Sequence, residues 1–196
     1  MAEEKETVMT GEVFFDYTCG FSNRARHWLD QLENVQVAWR PFSLLEQNRH
    51  DGLPVFDQPD LKDNASLIAL AVHEAVHADG GDLDGYRRRM FTAWHEETGR
   101  LSTEDIIGFG RDAGLSGFDP DTAFALLTAD HAAGRKLGVF GTPTLVFDDG
   151  RAAFVKLDAV PAVDRARPLW ETVRHLGAGE PELAEWHRVV PAKDGR

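Results

Sequence analysis

The sequence predicts an α/β fold in which a strand–helix–strand unit and a hairpin–helix unit share one mixed sheet, with an all-helical block between them. Three observations carry this. The N-terminal part holds two apolar strand patterns on either side of one helical stripe. The middle of the chain reads as helix after helix, each opened by a cap signal. Beyond Pro143 the pattern returns to short strands around an Asp-Gly turn, then to helix.

Glu12 to Tyr17 (EVFFDY) reads as the first strand, and its continuous apolar centre, Val13-Phe14-Phe15, fits burial on both faces. The strand ends in Thr18-Cys19-Gly20. From about Phe21 to Leu32 the residues Phe21, Ala25, Trp28, Leu29 and Leu32 fall on one helical stripe. Val35 to Phe42 alternates with period two, and Pro41 marks the edge or end of that strand. Strand, helix, strand in this order favours a parallel pair with a right-handed crossover.

Ser43 to Asp63 is polar, contains Pro54 and Pro59, and reads as a loop. Asn64 can cap a helix carrying Leu67, Ile68, Ala71, Ala75 and Val76, which stops at Asp79-Gly80-Gly81. Asp82 can cap a second helix, whose stripe Tyr86, Met90, Phe91 and Trp94 is expected to lie in the core between the helical block and the sheet. Ser102-Thr103-Glu104-Asp105 is a third start signal, and Asp119-Pro120 a fourth. Thr144–Phe147 and Ala152–Leu157 read as a hairpin around Asp148-Asp149-Gly150. Helix is expected from about Arg165 to His175, and a second short helix from about Pro181 to Val189.

Composition narrows the function. The 196 residues carry 21 basic and 33 acidic side chains, a net charge of -12. That is the wrong electrostatic footprint for a general nucleic-acid binder, and anionic lipid would repel it. The basic run Arg87-Arg88-Arg89 reads as a solvated helix face. Cys19 is the sole cysteine, so an intrachain disulfide and a cysteine-rich metal site are excluded. The opening MAEEKETVMT has no apolar secretory region, and no apolar run approaches the ~18 residues of a membrane span. The expectation is a soluble, cytoplasmic protein with neither a nucleic-acid nor a membrane partner. Whether it is a monomer or a dimer is not legible.

Two segments bear on chemistry. Cys19 lies where a strand gives way to a helix, so free N–H groups and the helix dipole favour an anion there. A thiol in such a place can fall from about 8.5 to between about 3.5 and 7.5. The alternative is a buried, inert cysteine. Arg24, Arg26 and His27 follow within two turns, with orientations that the sequence does not reveal. Far along the chain, Gly138-Val139-Phe140-Gly141-Thr142-Pro143-Thr144 leads into the hairpin, and Pro143 must start its strand because it cannot donate to a ladder.

One competing motif is His73-Glu74-Ala75-Val76-His77, which matches H-E-x-x-H. Glu96 and Glu97 are the nearest acidic candidates for a third ligand, but neither opens a companion motif. These histidines are expected to face solvent, and no metal is expected. Gly108-x-Gly110 has the wrong spacing for a dinucleotide loop.

Asp16-Tyr17-Thr18-Cys19-Gly20-Phe21-Ser22 after a strand, together with Gly138 to Thr144 before a hairpin, resembles the DsbA-like branch of the thioredoxin superfamily. The C-terminal stretch from Leu169 to Arg188 resembles that of actinobacterial members, mycothiol-dependent reductases among them. The resemblance implies a thioredoxin-like fold (βαβ…ββα), residues 1–63 and 134–196 forming a discontinuous domain and residues 64–133 an all-helical insert. It also implies that Cys19 matches the nucleophile of the family's C-x-x-C and Pro143 the cis-proline beside that sulfur. Thr142 would present its backbone to a bound thiol, with Asp16, Gly20 and Phe21 lining the same site.

One departure matters most. Relatives commonly read Cys-Pro-Trp-Cys, whereas this chain reads Cys19-Gly20-Phe21-Ser22. Ser22 cannot attack a mixed disulfide, so an autonomous dithiol oxidase is not expected. Monothiol chemistry remains, with Ser22 stabilising the Cys19 thiolate and a low-molecular-weight thiol, glutathione or mycothiol, as co-substrate for a disulfide or electrophile. No tightly bound cofactor is expected. Kappa-class glutathione transferases and 2-hydroxychromene-2-carboxylate isomerases resemble the same scaffold, which leaves a thiol-dependent transferase or isomerase as an alternative. A non-catalytic binding module is the third reading.

Overall fold

A computed structural model describes residues 9–49, 54–58, 64–97 and 100–179. Strand β1 (Met9–Phe15) leads into helix α1 (Gly20–Leu29), strand β2 (Val35–Pro41) and a single helical turn, α2 (Leu44–Gln47). Helices α3 (Ala65–Ala78), α4 (Leu83–Thr92), α5 (Thr103–Asp112) and α6 (Pro120–Lys136) form the helical block. Strands β3 (Thr144–Phe147) and β4 (Ala152–Phe154) and helix α7 (Val163–Arg174) complete the described chain. A π-helical turn, Ala93–Glu97, continues α4, and another, His175–Gly179, continues α7.

The sheet runs in the order β2-β1-β3-β4. β1 pairs parallel with β2 and antiparallel with β3, so the sheet is mixed and β1 is internal. Its position explains its composition. Successive side chains leave a strand on opposite faces, and both faces here are covered. Val13 and Phe15 enter the large core with Trp28, Leu67, Phe91 and Trp170, while Phe14 enters a smaller one with Phe42, Val139 and Val146. This is the α/β thioredoxin-like architecture with a helical insert that the sequence predicts.

Each cap in the helical block does what its side chain allows. Asn64 accepts from the Ser66 N–H and Asp82 from the Gly85 N–H. Ser102 and Asp105 form a reciprocal capping box, and Asp119 accepts from the Asp121 N–H with Pro120 behind it. α6 then reaches the sheet. A methyl group on Gly134 would lie 2.9 Å from Phe42 Cδ2 and 3.0 Å from Phe14 Cε1. Glycine at that position lets α6 settle on the two rings, and Gly138, at φ 83°, turns the chain out of the helix toward Pro143.

Several expectations need correction. Ser43–Asp63 is not loop throughout. Ser43 caps α2 by accepting from the Glu46 N–H, and Val55–Asp57 forms a 3-10 turn. β4 stops at Phe154 rather than Leu157. The Val155 N–H still donates to the Pro143 carbonyl, but Pro143 has no N–H to return, so the ladder ends there. His73 does not face solvent; it is 1% exposed and lies inside the core. Arg87 is no solvated residue either. Its guanidinium lies 4.5 Å from the Trp39 ring centroid and reaches Asp84 and Asp30. Met9, Thr10 and Gly11 extend β1 ahead of Glu12, while α1 ends at Leu29. The expected helix at Pro181–Val189 lies outside the described residues.

Candidate functional site

The site forms where β1 hands over to α1. Cys19 is the N-cap of α1, with extended backbone (φ -81°, ψ 112°). Its own N–H donates to the Asp16 carbonyl at 3.1 Å, and its carbonyl accepts from the Asn23 N–H at 3.1 Å. No side-chain oxygen caps the helix. The first-turn N–H groups lack intrahelical partners, so the positive end of the helix is directed at the sulfur's surroundings.

The sulfur meets the second segment across the fold. Cys19 Sγ donates to the Thr142 carbonyl oxygen at 3.3 Å. The Thr142-Pro143 peptide bond is cis. The structure thus brings together two predicted residues 123 positions apart in the chain. A carbonyl oxygen accepts from S–H and repels S⁻. This contact therefore belongs to the protonated thiol. Cys19 is 9% exposed, at the edge of burial rather than sealed within the core.

Ser22 sits in the first turn of α1, fully buried, and its hydroxyl has no hydrogen-bond partner. The Thr142 hydroxyl is likewise buried without a partner. Thr144 Oγ1 donates to the Gly141 carbonyl at 2.8 Å, which braces the loop ahead of Pro143.

Asp16 is placed behind the turn, not on its surface. One carboxylate oxygen accepts from Thr18 N–H and Thr18 Oγ1, each at 2.8 Å, and the other from Leu44 N–H at 2.8 Å. Burial raises its pKa above the ordinary carboxylate value, and the Leu44 and Thr18 hydrogen bonds pull it back. Its geometry fits a brace for the Cys19 turn. Gly20 opens α1, and a methyl group there would meet nothing within 4 Å. Phe21 is half-buried beside the cysteine and carries Arg24 over its ring at 4.6 Å.

Several neighbours carry no local sequence signal. His95 Nε2 lies 2.7 Å from the Tyr17 carbonyl, which the π-helical turn after α4 makes reachable. Burial lowers the His95 pKa, so the neutral ring donates to that carbonyl and steadies the turn before Cys19. Lys156 Nζ lies 5.1 Å from both the Phe21 and the Phe154 ring centroids. Phe140 is 63% exposed and packs edge-on against Phe154. Arg26 and His27 both reach Glu96 Oε1, at 2.9 Å and 3.0 Å, which ties α1 to the insert.

The H-E-x-x-H motif is structural. His73 Nε2 lies 3.1 Å from the Trp39 carbonyl, which can only accept, so that nitrogen carries the proton. Nδ1 then accepts from Tyr17 Oη at 2.8 Å. Burial lowers the His73 pKa to about 3. With both ring nitrogens occupied, His73 has none left for a metal, and among the described residues no group of three or more His, Cys, Asp or Glu could hold one. Among the same residues, no helix is long and apolar enough to cross a membrane.

Comparison with known proteins gives the family and the fold. The sequence model of the family described as "DSBA-like thioredoxin domain" matches residues 12–166. A probable DsbA oxidoreductase from Streptomyces coelicolor superposes with a TM-score of 0.58 at 16% identity, covering 94% of each chain. A thioredoxin-like oxidoreductase from Silicibacter pomeroyi gives 0.52 at 18% identity, over 86% of this chain and 88% of that one. The thiol-disulfide exchange protein alpha-DsbA2 from Wolbachia pipientis gives 0.52 at 21% identity, over 86% and 83%. At these identities the structures share the fold. No curated protein matches the chain.

Proposed function

Because the chain belongs to the DSBA-like thioredoxin domain family, whose model spans residues 12–166, and is an enzyme of the thiol–disulfide oxidoreductase type, we propose that it works with one thiol and borrows the second. The observation that carries this reading is the Cys19 Sγ to Thr142 carbonyl contact at 3.3 Å beside cis-Pro143, with a hydroxyl at Ser22 where a resolving thiol would stand.

Cys19 loses its proton to water and swings from the Thr142 carbonyl toward the N-terminus of α1. The thiolate attacks a disulfide R–S–S–R: the Cys19–S bond forms, the R–S–S–R bond breaks, and one R–S⁻ leaves to take a proton. A free thiol R′–SH then attacks the mixed disulfide, releasing Cys19 as thiolate and carrying away R–S–S–R′. The electron pair comes from the second thiol, so no further reductant is needed. Ser22 Oγ, buried and otherwise unpartnered, supplies a hydrogen bond to the sulfur when it is charged. The backbone of Thr142 and the Pro143 ring align the incoming sulfur, Gly20 and Phe21 line the approach, and Asp16 holds the turn. The borrowed thiol is glutathione or mycothiol. Dependence on such a pool suits the cytoplasm.

Intact mass after incubation with oxidised glutathione and with oxidised mycothiol tests this. One thiol half is expected per chain, on Cys19, lost in Cys19→Ser and removed by the matching free thiol. A folded protein that takes up neither would overturn the proposal.

A further inference from the structure

Arg24 and Lys156 stand out in a chain with 33 acidic and only 21 basic side chains. Cations such as Arg26, Arg40 and Arg87 are ion-paired, but among the described residues neither Arg24 nor Lys156 forms an ion pair. Both are held over aromatic rings instead. Arg24 Cζ lies 4.6 Å from the Phe21 ring centroid, and its Nε is fixed by the Leu157 carbonyl at 2.6 Å. That leaves its two terminal nitrogens for a planar partner. Lys156 Nζ lies 5.1 Å from Phe21 and 5.1 Å from Phe154, so it bridges the two rings.

Those rings belong to the two halves of the Cys19 site. Phe21 is two residues after the nucleophile. The Phe154 ring stands 3.1 Å from where a Gly141 methyl would lie, directly ahead of Thr142-Pro143. Arg24 follows Cys19 on α1 and Lys156 follows β4, the strand paired with the one after Pro143, so the two cations stand on the segments that adjoin the site. We propose that Arg24 and Lys156 select disulfides and thiols that carry carboxylates, by holding the carboxylates while Phe21 and Phe154 cover their carbon skeleton. This rests on the monothiol reading above and names the substrate class for the same site: of the two thiols named there it selects glutathione, which carries carboxylates, over mycothiol, which has none. The step is unchanged: the Cys19–S bond forms, the substrate S–S bond breaks, and the thiolate that leaves is itself anionic. A net charge of -12 repels such a molecule from most of the surface, so local cations are what permit its approach.

The test uses the full chain and three disulfides of different charge: oxidised glutathione (anionic), bis(2-hydroxyethyl) disulfide (neutral) and cystamine (cationic). Mixed-disulfide rates are compared for the parent protein, Lys156→Gln, Arg24→Gln and, as a charge-matched control in α5, Arg111→Gln. Taking each variant relative to the parent cancels the intrinsic reactivity of each disulfide. Lys156→Gln and Arg24→Gln are expected to slow oxidised glutathione roughly two- to fivefold each, the size of an exposed ion pair. They should leave the neutral disulfide within about twofold and speed cystamine, with the contrast shrinking as salt rises. Arg111→Gln should change none of the three ratios. Equal change for all three disulfides, or no change, overturns the selectivity. Lys156 is exposed, so its variant decides the matter even if Arg24→Gln does not fold. If the parent protein reacts with none of the three, the thiol chemistry itself fails, an outcome distinct from reaction without charge preference.

Discussion

Two buried polar regions of this protein, joined through Tyr17, are built on opposite rules. Around His73 the hydrogen bonds close: Tyr17 Oη on one ring nitrogen, the Trp39 carbonyl on the other. Around Cys19 they are left open, since the Ser22 and Thr142 hydroxyls are buried without partners. An unmade buried hydrogen bond costs about 1–3 kcal/mol, so a fold keeps few of them. The closed region supports the turn that carries the cysteine, and the open one leaves two hydroxyls of the cysteine's two segments unpartnered, as the proposed thiolate chemistry requires.

The sharpest division between the two regions is chemical. Cys19→Ser is expected to abolish every mixed disulfide while leaving the urea midpoint within the error of measurement, because a hydroxyl can replace the thiol's bond to the Thr142 carbonyl. An adduct that persists in this variant would remove Cys19 from the mechanism. On the closed side the pattern reverses. His73→Ala strands the Tyr17 hydroxyl and the Trp39 carbonyl and opens a cavity beside Phe15, an expected loss of about 3–5 kcal/mol in unfolding free energy. The iodoacetamide rate of the folded variant should stay within about twofold. A large drop in that rate with little loss of stability would assign His73 to the chemistry instead.

Stability against pH sharpens the same contrast. Burial lowers His73 to about 3 and His131 to about 4. The unfolded chain protonates both histidines below about 6.5, the folded chain only far lower, so stability falls as pH drops from about 6.5. Glu74 runs the other way. Burial, with the Asp130 carboxylate alongside, raises it to about 8, whereas the unfolded chain releases that proton near 4.5. Stability from this group is present below about 4.5 and lost as pH rises toward about 8. Between those values the two histidines outweigh one glutamate, and above about 6.5 only the glutamate slope remains. The maximum is expected near pH 6.5. Glu74→Gln should flatten the alkaline limb by about 2 kcal/mol between pH 6.5 and 8. Denaturant titrations across pH 4 to 9 check both limbs, and an alkaline limb unchanged in the variant would reassign it.

Legibility in the sequence followed the range of each interaction. Asn64, Asp82, Ser102 and Asp119 all cap where expected, because a cap is settled by a side-chain oxygen and N–H groups two or three residues away. The Val13-Phe14-Phe15 run placed β1 inside the sheet for the same local reason. The meeting of Cys19 with Thr142 came only from the order of elements and the family resemblance. His73 and Arg87 were misread because their exposure depends on what packs against their helices. Nothing within α3 announces that Tyr17 and Trp39 will enclose His73. His95, Lys156 and the orientation of Arg24 were illegible for a similar reason: His95 reaches the site through a turn, Lys156 through a strand end, and Arg24 is oriented by the Leu157 carbonyl, each placed by the assembled fold.

The smallest expected effect is also the most discriminating. If the Ser22 hydroxyl is left open for the charged sulfur, Ser22→Ala removes a donor that the resting protein does not use. Unfolding free energy should then rise by about 1 kcal/mol, since a buried unpartnered group is lost. The iodoacetamide rate at pH 7 should fall roughly threefold to tenfold, equivalent to about 1 kcal/mol for one hydrogen bond to a charged atom. A structural hydroxyl would give the opposite pair of results, lower stability with unchanged reactivity. Ser22→Cys extends the test. A thiol in that place can attack the mixed disulfide from within the chain, so the adduct with oxidised glutathione should become transient and yield an internal disulfide between Cys19 and the introduced thiol. An adduct as long-lived as in the parent protein would mean that the side chain at this position does not face the sulfur, and the stabilising role assigned to the serine would fall with it.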